Sequence, residues 1–426
     1  MQTTTKEMVR QDRECPDYGE FVDSDGEGDV EDVSEPVERY SQGLYYPVCI
    51  GEVLAERYRI EHKLGWGGYS TVWMAHDVQL RKNVALKIMI PGEKGEYEYQ
   101  MQNEILQTVR DTSNLVTHQG SFLLPGHGSN HHRVLVLPLL SPSLGYRAIQ
   151  LPVATRISAA KQLLVALKSL HDAGLVHRGT PHPQFSSRFL VLLSRLDADQ
   201  STDLNEGALM WEMPLSFDEY DTATKYQWLG RPKKVFLGDY LWKRGELVQQ
   251  VTTPLDLLGS KLYLGDFGLT IKIGTAVHIK EQAPYYFCAP ERLHGADPSF
   301  ASDMWSYMCL FAALYLGNNV FYGNGGESTA FSWVEQLGAM PNHWKGRFWR
   351  PEEVNDAWYD QTTTPDPERD LAARIARMRP DASQAERELV LSIMHKAFCY
   401  LPERRITAEQ LLQDPSFRAI MDIYEC

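Results

Sequence analysis

Three short stretches hold residues suited to handling a phosphorylated ligand. The first is Gly65-Trp66-Gly67-Gly68-Tyr69-Ser70-Thr71-Val72. Glycines at such a turn let backbone N–H groups approach phosphate oxygens that side chains would block. The pattern G-x-G-x-x-G-x-V is met at Gly65, Gly67 and Val72, with Ser70 replacing the third glycine. Alone, the stretch also suits a plain β-hairpin turn. The second is Lys87, which closes the apolar run Val84-Ala85-Leu86-Lys87 fifteen residues beyond Val72. An ammonium in such a run needs a partner, because burying it unpaired is very costly. Glu104, in Gln102-Asn103-Glu104-Ile105-Leu106, is the first choice, and Glu98, nearer the start of the same predicted helix, the second. The third is Leu264-Gly265-Asp266-Phe267-Gly268, where the aspartate suits a divalent metal held against phosphates.

Three more landmarks follow in order. Cys288-Ala289-Pro290-Glu291 ends 25 residues beyond Asp266, then come Ser302-Asp303-Met304-Trp305-Ser306 and Pro402-Glu403-Arg404-Arg405-Ile406-Thr407-Ala408. Any one of them arises by chance; six in this order and at these spacings do not.

The elements that must position these residues are legible in outline. Arg57–Ile60 and Ser70–Ala75 read as strands around the glycine turn, Val84–Ile90 and Arg133–Leu137 as buried strands, and Glu96–Val109 as a helix. From Ala154 to His171 the spacing of Ile157, Leu163, Leu164, Leu167 and Leu170 is helical. The pattern then breaks, and Ser194 to about Gly259 is polar and weakly periodic, which suits an insertion. From Lys261 onward the chain reads as ordered and mainly helical. Between Glu14 and Glu38 lie eleven acidic residues with no Lys or Arg, a composition expected to stay disordered.

The bulk numbers narrow the classes. A chain of 426 residues that is 43% hydrophobic can bury a sizeable core. Its net charge of −14 argues against direct nucleic-acid binding and permits a basic protein partner. The six cysteines are scattered with no C-x-x-C pair, so neither a metal knuckle nor a disulfide framework is expected. The first residues lack the apolar core of a signal peptide, and the longest apolar runs are too short for a bilayer. The expectation is an intracellular protein, cytoplasmic, nuclear or both, without a membrane segment.

The motifs resemble those of the eukaryotic protein kinases, and within them the SR-protein kinase family in a divergent, fungal-type form. The specific likeness lies in Tyr40–Trp73, YSQGLYYPVCIGEVLAERYRIEHKLGWGGYSTVW, and in the closing LPERRITAEQLLQDPSF. That family too places serine at the third glycine position and a long insert before the metal-binding aspartate. The resemblance covers roughly residues 40–193 and 261–420. It implies an α+β, bilobal protein-kinase fold, with a small antiparallel β-sheet lobe carrying one helix and a larger, mainly helical lobe. Residues 1–39 would then be an acidic tail, 40–140 the smaller lobe and 141–426 the larger, with an insertion at about 194–260. It further implies ATP and Mg as cofactors, an Arg/Ser-rich protein as substrate or partner, and a monomer.

By position, the resemblance assigns nucleotide contacts to Leu64, Gly65, Trp66, Gly67, Gly68, Tyr69, Ser70, Val72, Ala85, Lys87, Glu104, Leu137 and Leu139, and the metal to Asp266. It implies a structural ion pair between Glu291 and Arg405, and an Asp303 that braces the catalytic loop from beneath.

One segment departs from the family. Its catalytic loop reads H-x-D-x-x-x-x-N, whereas this chain has His177-Arg178-Gly179-Thr180-Pro181-His182-Pro183-Gln184. Without gaps, Gly179 replaces the aspartate that accepts the substrate hydroxyl proton, and Gln184 replaces the second metal-binding asparagine. Aligned backward from Phe189-Leu190-Val191, the loop is four residues longer and Arg188 falls at the asparagine. Neither alignment restores the aspartate. His182 is a candidate substitute base as well as a plain loop histidine. Two expectations follow: a serine/threonine kinase of reduced activity, or a pseudokinase that binds nucleotide and serves as an interaction scaffold.

Overall fold

The computed structural model describes residues 18–23, 26–178, 209–277, 285–323, 325–349 and 354–426. Strand β1 (Glu20–Phe21), helix α1 (Glu27–Val33) and the single turn α2 (Glu38–Ser41) lead into the smaller lobe. This corrects the expectation of disorder wherever the acidic stretch is described. Val30 and Tyr40 are buried in one cluster with Tyr45, Ile90, Leu237 and Leu247. Buried Glu35 accepts hydrogen bonds from Lys63 Nζ and Tyr40 Oη. Mean composition missed this because Val30 and Tyr40 are buried together, and the one deeply buried acid has a dedicated cation.

The smaller lobe is a six-stranded antiparallel sheet of β2 (Val53–Leu54), β3 (Tyr58–Gly67), β4 (Ser70–Asp77), β5 (Lys82–Met89), β6 (Gly120–Pro125) and β7 (His131–Pro138), in the order β2-β3-β4-β5-β7-β6. Alternation along the strands sends Trp73, Ala75, Leu86, Ile88 and Val134 to one buried face and Met74, Ala85, Leu135 and Leu137 to the other. Helix α3 (Glu93–Thr108) follows β5, and its inward residues Glu98, Met101, Gln102 and Ile105 repeat at helical spacing.

The larger lobe is built on α4 (Val153–Asp172), followed by β8 (Leu175–Val176) and β9 (Leu209–Trp211). Within the span expected as an insertion lie α5 (Thr222–Leu229), β10 (Lys233–Phe236) and β11 (Glu246–Val248), ahead of β12 (Leu262–Leu264) and β13 (Ile271–Lys272). β9 pairs antiparallel with β12, and β13 with β8. Helices α6 (Pro290–Leu293) and α7 (Phe300–Leu316) then enter the core, where Leu163, Leu164 and Leu170 of α4 join Trp305, Tyr307 and Phe311. Five further helices, ending with Pro415–Ile423, complete this lobe among the described residues. Two lobes, a sheet with one long helix and a helical body, are the protein-kinase architecture that the motifs implied.

The span 213–260 packs back on the smaller lobe. Lys225 Nζ donates to Glu61 Oε2 at 2.6 Å and Tyr226 Oη to the Glu61 carbonyl at 2.9 Å. β10 lies between β1 and β11, and the Val251 N–H reaches the Lys63 carbonyl at 2.9 Å. None of the described helices is long and apolar enough to cross a membrane.

Candidate active site

Lys87 occupies the middle of β5, opposite Val72 on one side and Leu135 on the other. Its ammonium lies 2.7 Å from Glu98 Oε2 and 3.0 Å from Asp266 Oδ1. Gln102 Nε2 donates to Glu98 Oε1 at 3.1 Å and holds that carboxylate in place. Burial by itself would discharge Lys87, but the Asp266 and Glu98 carboxylates outweigh it and hold its pKa above the ordinary lysine value. Burial likewise pushes the Glu98 carboxyl up, against the pull of the Lys87 charge.

Glu104 is a correction. It was the first choice for Lys87, yet it stands off the inward stripe of α3 and pairs with Lys272 Nζ at 2.9 Å. Six residues from Glu98 amount to about 600° of helical rotation, so the two side chains cannot share a direction.

Asp266 is delivered by β12, which is held through the Val116 N–H to the Leu264 carbonyl at 2.8 Å. Asp266 itself has a left-handed φ of 59°. A Cβ on the glycine before it would press on Val116 Cβ at 3.2 Å and displace the flexible tip of Met210, Cε at 2.4 Å. Phe267 is fully buried, edge-on to His177 with ring centroids 5.8 Å apart. His177 Nε2 meets the Gly265 carbonyl at 3.1 Å. Asp303 accepts from the backbone N–H groups of His177 (2.7 Å) and Arg178 (2.9 Å), so the start of the catalytic loop is braced as the resemblance implied. Gly179, His182, Gln184 and Arg188 lie outside the described residues.

Among the residues to which the resemblance assigns nucleotide contacts, Ala85 faces Leu137 across adjacent strands, and buried Leu64, Ala85 and Leu137 share a cluster with Leu140, while Leu139 packs at its edge. Gly65, Trp66 and Gly67 pair with Val72, Thr71 and Ser70, with Gly68 and Tyr69 forming the turn. Sequence reasoning missed Met213, Val251 and Leu257, which join the same cluster from the insertion. No local signal marked them, because the smaller-lobe residues that they join, from Leu64 to Leu140, lie more than seventy residues away along the chain. Farther off, Arg405 Nη1 and Nη2 grip Glu291 at 2.7 and 2.9 Å, the ion pair that the resemblance implied.

The residues present fit a magnesium–nucleotide pair. The Asp266 side chain is 30% exposed, whereas that of Glu98 is 3% exposed, so Asp266 is the carboxylate open to the cleft. Among the described residues no group of three His, Cys, Asp or Glu side chains is arranged to hold a metal. A magnesium ion at Asp266 therefore needs oxygens from the nucleotide phosphates and water, its usual manner of binding.

Comparison with known proteins agrees with this geometry. The protein kinase domain family matches residues 255–417. A serine/threonine protein kinase of Aspergillus fumigatus is 26% identical over 401 residues, covering 89% of each chain. The serine/threonine-protein kinase SRPK of Physarum polycephalum is 27% identical over 351 residues, 76% of this chain and 75% of its own. Protein kinase dsk1 of Schizosaccharomyces pombe is 35% identical over 171 residues, 36% of this chain and 31% of its own.

Proposed function

We propose that this chain, which matches the protein kinase domain family over residues 255–417 and is similar to SR-protein kinases, binds MgATP and transfers the γ-phosphate slowly to serine or threonine of a protein. The observation that carries this reading is the Lys87 ammonium held by Glu98 and Asp266 together. A buried lysine without such partners would be destabilising.

In this reading the glycine turn covers the phosphates, Lys87 holds the α- and β-phosphates, and Glu98 keeps Lys87 aimed. Magnesium bound at Asp266 would supply charge neutralisation for the transferred group. Leu64, Ala85, Leu137 and Leu139 offer apolar contact to the base. Gly179 has no side-chain carboxylate to take the substrate hydroxyl proton, and a positioned base is worth about 10²–10⁴ in rate. Against typical kinase turnover of about 1–100 per second, residual transfer on the order of 10⁻⁴ to 1 per second follows. The net charge of −14 favours a basic substrate, in keeping with Arg/Ser-rich segments.

A second reading, a nucleotide-binding scaffold without transfer, is favoured by the same Gly179 together with Gln184. The test of the shared premise is thermal unfolding with and without MgATP. The chain should gain several degrees at saturating nucleotide, and Lys87→Ala should lose most of that gain. An unfolding curve indifferent to MgATP would remove the premise from both readings.

A further inference from the structure

The turn of the phosphate loop is gripped from outside by the segment that precedes the sheet. Tyr45 Oη donates to the Gly67 carbonyl at 2.8 Å, and Arg39 Nη2 donates to the Gly68 carbonyl at 2.7 Å. The next carbonyl, that of Tyr69, accepts from the Ile90 N–H at 2.9 Å. Three successive peptide oxygens are thus fixed by named donors.

The two side chains are themselves anchored. The Arg39 guanidinium lies 4.7 Å from the centroid of the Tyr45 ring, and the Tyr40 and Tyr45 rings meet edge to face at 5.6 Å. Buried Glu35 binds Tyr40 and Lys63, and the Lys63 ammonium also stands 4.3 Å from the Trp73 ring centroid. Lys63 is two residues before the first glycine, so the segment is buckled to the strand that ends in the turn.

Direction gives this grip a consequence. Trp73 and Leu86 mark the outer face of the sheet, and Met74 and Ala85 the face toward the cleft. The Glu35–Tyr45 segment meets the sheet on the face of Lys63 and Trp73, opposite the one that carries Lys87. In a planar trans peptide the N–H points opposite to the C=O. Carbonyls of Gly67 and Gly68 held outward therefore turn the N–H groups of Gly68 and Tyr69 toward the cleft. The Arg39 charge also polarises its peptide and strengthens the N–H as a donor. Donors fixed before the ligand arrives do not have to be ordered on binding.

We propose that Arg39 and Tyr45 are positioning residues for phosphate, which preset the Gly68 and Tyr69 N–H groups through the carbonyls on the other side of the same peptides. This rests on the nucleotide-binding reading above.

The experiment titrates the full chain, Tyr45→Phe, Arg39→Ala and Arg39→Lys with MgATP and, separately, with adenosine, which has no phosphate. Tyr45→Phe and Arg39→Ala should each weaken MgATP about tenfold while adenosine stays within about twofold, and Arg39→Lys should recover part of the loss. Equal weakening of both ligands marks a merely structural role and overturns the proposal, as does unchanged MgATP affinity. Amide hydrogen exchange over residues 66–70 without nucleotide gives the independent readout. Faster exchange in both variants upholds the clamp, and unchanged exchange in both overturns it. If the native chain binds neither ligand, the nucleotide-binding reading fails and the exchange data alone decide the clamp.

Discussion

Glu98 Oε2 lies 2.7 Å from Lys87 Nζ, on the same ammonium that Asp266 Oδ1 reaches at 3.0 Å. One residue from the sheet, one from the helix and one from the larger lobe meet at a point. Sheet, helix and larger lobe are therefore joined at this point, with α3 packed inward. Tyr97 Oη adds a second tie, donating to the Thr270 carbonyl at 2.7 Å and joining α3 to the segment after Asp266.

Replacing Glu98 should injure the site where replacing Glu104 does not. Glu98→Ala removes a buried partner of Lys87 and should weaken MgATP binding by at least about tenfold. Glu104→Ala breaks a pair whose lysine side chain is 63% exposed, a kind worth about 0–1 kcal/mol, so binding and stability should hardly change. Calorimetric titration of both variants separates them; equal losses would mean that the helix is set differently.

Arg405 holds α6 in place through Glu291. Its guanidinium bridges Glu291, the Ala301 carbonyl at 2.7 Å and the Cys399 carbonyl at 3.0 Å, with no exposed surface on the side chain. Arg405→Met leaves the Glu291 carboxylate buried without its cation and should cost about 3–5 kcal/mol in urea unfolding. A loss below about 1 kcal/mol would show that the carboxylate finds another partner.

Much of this site was legible in the chain, for a definite reason. Gly65 to Val72, Lys87 and Asp266 are constrained by local geometry, so their types and spacings survive as short motifs. Glu98 was readable only as the second choice, because spacing in sequence does not reveal which residues of α3 face inward. The stripe Glu98, Met101, Gln102 and Ile105 held that information, but the polar members at 98 and 102 hid it. Glu35 and Lys225 were not legible at all. Each is a charged residue in a polar stretch, and its burial depends on a cation or carboxylate far along the chain, Lys63 for one and Glu61 for the other.

The Lys225 contact yields a stability prediction. Lys225 and Glu61 are both buried, and Lys225 also donates to Asn83 Oδ1 at 2.5 Å. Lys225→Ala should destabilise by about 3–5 kcal/mol despite lying in the insertion. Chemical denaturation at neutral pH checks it, and an unaffected midpoint would mean that the insertion does not dock in solution.

Acid should weaken the fold through His294. Its Nδ1–H donates to the Pro290 carbonyl at 2.7 Å, so Nε2 of the neutral ring accepts from Tyr359 Oη at 2.8 Å. Burial pushes its pKa down from 6.5 to about 4. Below pH 6.5 the unfolded chain takes up a proton that the folded chain refuses until about pH 4. This contribution is therefore complete above pH 6.5 and lost as pH falls toward 4, on the order of 3 kcal/mol in all. His294→Asn should show a smaller drop in unfolding free energy between pH 7 and 4.5 than the native chain; identical drops would assign acid lability to other groups.

The measurement that bears most directly on the account is transfer of radiolabelled γ-phosphate from ATP to an Arg-Ser peptide by the native chain, by Gly179→Asp and by Lys87→Ala. Slow transfer by the native chain, raised about 10²-fold or more by Gly179→Asp and abolished by Lys87→Ala, is the predicted result. Transfer by the native chain at ordinary kinase rates, or transfer that survives Lys87→Ala, would contradict it.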